Sequence, residues 1–69
     1  MVEVFKTNVQ EMKQAIDLID QLCFHFPDYK ANFDLEDCDK ILRVEGSEVE
    51  IEKVIMTMNN HGFECLVLM

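Results

Sequence analysis

The sequence predicts an α+β sandwich in which four antiparallel strands form one sheet and two helices cover one of its faces. Three observations carry that prediction. Four short stretches alternate apolar with polar residues, the pattern of half-buried strands. Two longer stretches repeat their apolar residues at steps of three and four, the pattern of helices with one buried stripe. The chain has 69 residues, 49% of them apolar, with only two glycines and one proline. It therefore reads as one domain, residues 1–69, without linker or repeat.

Residues 2–6 alternate as a first strand, with Val2 and Val4 on one face and Glu3 and Phe5 on the other. The valine face is assigned to the core. The period then changes. Met12, Ala15, Ile16, Ile19, Leu22, Cys23 and Phe26 fall on one helical stripe. Asn8 with Glu11, or Thr7 with Gln10, can form the capping box that starts this helix. Pro27 ends it.

Residues 30–35 and 40–45 alternate again around the acidic cluster Glu36-Asp37-Cys38-Asp39, which has turn chemistry. Ala31, Phe33 and Leu35 share one face of the first run, and Leu42 and Val44 one face of the second. Together they predict a hairpin. Gly46 ends it, and Ser47 with Glu50 offers a second capping box. Ile51, Val54, Ile55 and Met58 form the next helical stripe, which Gly62 closes with Phe63 folded back as its apolar partner. Residues 63–69 form the last strand, with Phe63, Cys65 and Val67 on one face.

This order, strand–helix–strand–strand–helix–strand, is that of the ferredoxin-like βαββαβ sandwich. Its first and third strands are central, and each crossover is right-handed. One sheet face is left open. With the facing above, it carries Glu3, Phe5, Ile41, Arg43, Leu66 and Leu68.

The stretch Phe33–Gly46, FDLEDCDKILRVEG, resembles the second hairpin of heavy-metal-associated domains, the small copper-chaperone-like modules. Asn60–Cys65, NHGFEC, is similar to their junction between second helix and last strand. The resemblance spans nearly the whole chain and implies the same fold. That family holds metal in a Met-x-Cys-x-x-Cys loop after the first strand. The matching segment here, Phe5–Met12, has no cysteine, and soft ions require such thiolates. None of the family's metal ligands carries over.

Composition excludes further classes. Fourteen acids against six bases give a formal charge of −8, whereas a phosphate-binding surface needs clustered Lys and Arg. Nucleic acid and anionic membranes are thus not expected partners. No apolar run approaches the ~18–20 residues of a membrane span. The N-terminal residues lack a signal-peptide pattern, which suggests a cytoplasmic protein. The three cysteines, at 23, 38 and 65, form no CxxC pair and read as reduced thiols.

Few constellations could carry chemistry. The topology places the first loop, the hairpin turn and the junction after the second helix at one end of the sheet. Cys38, His61 and Asp37 could meet there as an unconventional zinc site. The plainer reading is an acidic turn beside a solvent-facing histidine. A calcium loop from Asp34 to Glu45 fails because its sixth position is Asp39, not glycine. Cys38 sits among carboxylates rather than in the electropositive setting of a reactive thiolate. Nucleophile elbows and glycine-rich phosphate loops are missing. No catalysis and no cofactor are therefore expected.

The expected function is a non-catalytic binding module on this fold. Phe5, Ile41, Leu66 and Leu68 on the open sheet face would meet a protein partner or a second copy. The alternatives are the Cys38–His61–Asp37 metal site and a small-ligand sensor of the same topology.

Overall fold

The computed structural model describes residues 1–68. Its elements are β1 (Val2–Thr7), α1 (Met12–His25), β2 (Lys30–Asp34), β3 (Ile41–Glu45), α2 (Ile51–Asn60) and β4 (Cys65–Val67). The strands form one antiparallel sheet in the order β2-β3-β1-β4. This is the predicted ferredoxin-like α+β fold. Met69, the end of the predicted last strand, lies outside the described residues.

Register decides what each face carries. Phe5 stands opposite Leu42 on β3 and opposite Val67 on β4. Phe5, Leu42 and Val44 are fully buried, and Cys65 is buried beside them. Ala31 and Phe33 on β2 lie opposite Val44 and Leu42, so they share this face. The assignment of Phe5 to the open face is thus corrected. Phe5 and Glu3 point to the helix side of the sheet, while Val2, Val4 and Lys6 take the other. A phenylalanine ring removes more apolar area from water than a valine side chain. The phase of β1 therefore follows Phe5.

Both helices begin later than predicted, for one reason. Val9 and Val49 are buried before the helices start, and Asn8 and Ser47 of the predicted caps bond elsewhere. Glu11 caps α1, its N–H donating to Gln14 Oε1 at 3.3 Å. Asn8 instead accepts from the Glu64 N–H at 2.9 Å, and Thr7 belongs to β1. Glu50 caps α2, with Val49 and Val54 both buried in the positions of a hydrophobic staple. Ser47 donates to Asp28 Oδ2 at 3.3 Å rather than capping. The stripe of α1 runs through Ala15, Leu18 and Leu22. Met12 and Ile16, predicted inward, are exposed. The α2 stripe is as predicted, with Val54 and Met58 buried and Ile51 and Ile55 packed at its margin.

At the end of α2, Gly62 has φ +88°. Its N–H donates to Asn59 O at 2.9 Å, and the Phe63 N–H donates to Met58 O at 3.1 Å. These two bonds make a Schellman close, which satisfies carbonyls the helix leaves open. Phe63 packs against the core.

Tyr29 joins three segments. It is buried, its ring stacks on Phe26 with centroids 4.7 Å apart, and its hydroxyl accepts the Glu50 N–H at 2.8 Å. A Cβ on residue 46 would lie 2.9 Å from the Tyr29 ring. Gly46 is therefore required for space, not only as a strand end. Gly46→Ala should cost about 1–3 kcal/mol by overpacking. Tyr29→Phe, which removes only the hydroxyl, should cost about 1 kcal/mol. Urea unfolding followed by circular dichroism checks both, and equal stability of Gly46→Ala and wild type would refute the steric account.

Candidate functional site

Four features could carry chemistry or binding: the acidic turn, the thiols, a groove beside β4 and the open sheet face. In the turn, short acidic side chains bond their own backbone. Asp34 Oδ1 accepts the Glu36 N–H at 3.2 Å, and Asp37 Oδ1 accepts the Asp39 N–H at 2.8 Å. Lys40, at φ +47°, returns its ammonium to Leu35 O at 2.8 Å. The turn is fastened to the end of β1. The Thr7 N–H donates to Asp39 O at 3.0 Å, and the Thr7 hydroxyl donates to Lys40 O. The Asn8–Glu64 bond brings the α2–β4 junction to the same end.

Only part of the predicted metal constellation meets there. Donor atoms of Asp37, Cys38 and Asp39 lie within 4.8 Å of one another. His61 is not among them. Its Nδ1 lies 2.9 Å from Thr57 O, one turn back on α2, and donates to it. The constellation is split because the imidazole satisfies a carbonyl of its own helix end. Asp39 is also 3.7 Å from Lys6 Nζ. Two carboxylates and one thiol, without imidazole or second thiolate, fall short of a tetrahedral zinc set. Zinc titrated into the reduced protein should bind with micromolar Kd or weaker. Cys38→Ser should weaken it further and His61→Ala leave it unchanged. Nanomolar binding, or loss of affinity in His61→Ala, would contradict this geometry.

The thiols differ by placement. Cys38 is exposed, and Cys23 is half-buried with its Sγ 3.6 Å from Tyr29 O. Cys65 is buried under α2, and desolvation pushes its thiol up from 9.0 to about 12. The folded state thus holds this proton more tightly than the unfolded chain. The associated stability is complete below about pH 9 and is lost as pH rises toward 12. Cys65→Ala should flatten alkaline unfolding in that window. In thiol labelling at neutral pH, Cys38 should react promptly and Cys65 only on unfolding. Rapid labelling of Cys65 in the native protein would contradict its burial.

A groove of about 400 Å³ lies between β4 and α2, lined by Lys6, Ile55, Asn59, Glu64, Cys65 and Leu66 among others. Its polar groups are largely engaged elsewhere. Lys6 approaches Asp39, and the Asn59 amide donates to Phe63 O at 2.8 Å. The buried, protonated Cys65 at its wall is not poised as a nucleophile.

The open sheet face is the remaining feature. Continued register arranges it in three rows across β2, β3, β1 and β4. The first row is Asp34, Ile41, Lys6, Leu66. The second is Asn32, Arg43, Val4, Leu68, where the Leu68 N–H donates to Val4 O at 2.8 Å. The third is Lys30, Glu45, Val2. Thus Ile41, Leu66 and Leu68 lie where predicted, while Val4 takes the place expected of Phe5. Sequence reasoning missed Val2 and Val4, and the size of Phe5 was the signal that could have found them. Leu66 is 64% exposed, Val2 48% and Leu68 39%.

The chain matches no known family model, no curated protein and no solved structure.

Proposed function

We propose that the protein is a small non-catalytic interaction module that binds a protein partner through the open face of its sheet. One observation carries this reading. The face is uncovered and holds Val2, Val4, Ile41, Leu66 and Leu68 in adjacent rows and columns. A sheet face with a contiguous apolar area marks an interaction site more often than scattered apolar side chains do. Met12, Ile16, Phe24 and Met56 are exposed as well. They lie on the helices, outside the rows of the sheet face. Under this proposal the resemblance to heavy-metal-associated domains is one of fold, with the sheet rather than a metal loop as the working surface.

Photo-crosslinking tests the assignment. A photoreactive amino acid placed singly at Val4, Leu66 or Ile16 reports which surface is covered in cells. Protein adducts, whether with another protein or with a second copy, are expected from positions 4 and 66 and not from 16. Adducts confined to position 16, or none from the sheet positions, would overturn the reading.

A further inference from the structure

We infer that the occupant of the open sheet face is a second copy of this chain, packed face to face about a twofold axis. The inference rests on the proposed use of that face and adds the identity of its partner.

Charge is the first argument. Three of the six bases (Lys6, Lys30 and Arg43) but only two of the fourteen acids (Asp34 and Glu45) lie on the face. The face therefore carries +1, and the rest of the molecule −9. Even with Asp39, which touches Lys6 at the rim, the face is neutral. A strongly cationic partner would be drawn to the acidic remainder instead. Two copies joined by their sheets meet through surfaces that carry little net charge.

Pattern is the second argument. The β1 and β4 columns supply Val2, Val4, Leu66 and Leu68, with Lys6 alone carrying charge. The β2 and β3 columns supply Lys30, Asp34, Arg43 and Glu45. An axis parallel to the strands would lay the apolar half on the charged half. An axis perpendicular to them, through the Arg43–Val4 row, lays each column on itself with the rows reversed. Lys30 then meets Asp34 of the second copy, and Asp34 its Lys30. Val4, Leu68 and Arg43 meet their own counterparts, with Glu45 of the second copy one row from each Arg43, while Lys6 meets Val2 and Ile41 meets Glu45. The reciprocal Lys30–Asp34 pairs supply the self-complementarity that an isologous interface requires. Among the described residues, the two salt bridges are Lys6–Asp39 and Lys53–Glu50. Lys30, Arg43 and Glu45 thus make no ion pair among the described residues, and Asp34 bonds only the Glu36 N–H.

Area sets the strength. The molecule measures 27 × 24 × 17 Å, so its broad side offers roughly 500 Å² per copy. That lies at the low end of specific interfaces, where association is transient.

Sedimentation velocity from about 10 µM to about 1 mM spans this regime. Wild type should shift from monomer to dimer as concentration rises. Lys30→Asp and Asp34→Lys should each weaken association about tenfold or more, because each brings like charges together twice. An equimolar mixture of the two variants should restore it, since every pair is then of opposite sign. Both positions are exposed on an edge strand, and circular dichroism confirms that the variants fold. A monomer at every concentration, or a mixture that does not associate, would overturn the second copy as partner. Should positions 4 and 66 then still crosslink another protein in cells, the interaction reading stands and only the dimer falls. Should they crosslink nothing, both fall.

Discussion

The inward placement of Phe5 governs the molecule. It occupies the middle of the first strand, between Leu42 and Val67, and is fully enclosed. Side chains of a strand alternate with a strict period of two, so one inward residue fixes all the others. With Phe5 inside, Val2, Val4 and Lys6 must face outward and Thr7 must face inward. A slip of one residue would bury Lys6 and expose the ring, a change no neighbouring adjustment could offset. The core and the open face are thus two results of one choice.

That choice also sorts the charges. Lys6, Lys30 and Arg43 occupy outward positions on three different strands, whereas the acids collect on helices, turns and helix approaches. The sheet side is nearly neutral and partly apolar, and most of the negative charge lies in the turns and helix approaches around it. The acidic turn belongs to the same economy of parts, because Asp34 and Asp37 serve local backbone N–H groups. Their number alone therefore does not make a metal centre.

The fold was legible in the sequence because its signals agree. Two helical stripes and the alternation of β2, β3 and β4 all point to one architecture. The errors share a cause. In Val2-Glu3-Val4-Phe5 both phases carry apolar residues, and only packing against the helices decides between them. Ile16 and Leu18 present the same ambiguity on α1, which resolves toward Leu18. Asn8 and Ser47 have good capping chemistry, yet Val9 and Val49 must first enter the core, so the helices start at Glu11 and Glu50. The candidate site was legible in Ile41, Leu66 and Leu68, whose facing follows from unambiguous strands. Val4 was not, because it inherits its position from Phe5. The separation of His61 from Cys38 could not be read either, since it depends on an imidazole bonding back to Thr57.

The strand order has a consequence for how the chain finds this state. β1 lies at the centre of the sheet, yet both of its neighbours come from far along the sequence. Only β2 and β3 are joined by a short turn. Loop closure costs least for that hairpin, whose Leu42 and Val44 stand opposite Phe5 and Glu3 of β1. The bonds from Thr7 to Asp39 and Lys40 tie the end of β1 to the hairpin turn and need β1 in register. Most of the sheet thus rests on pairings far apart in sequence, the class of contact that slows folding.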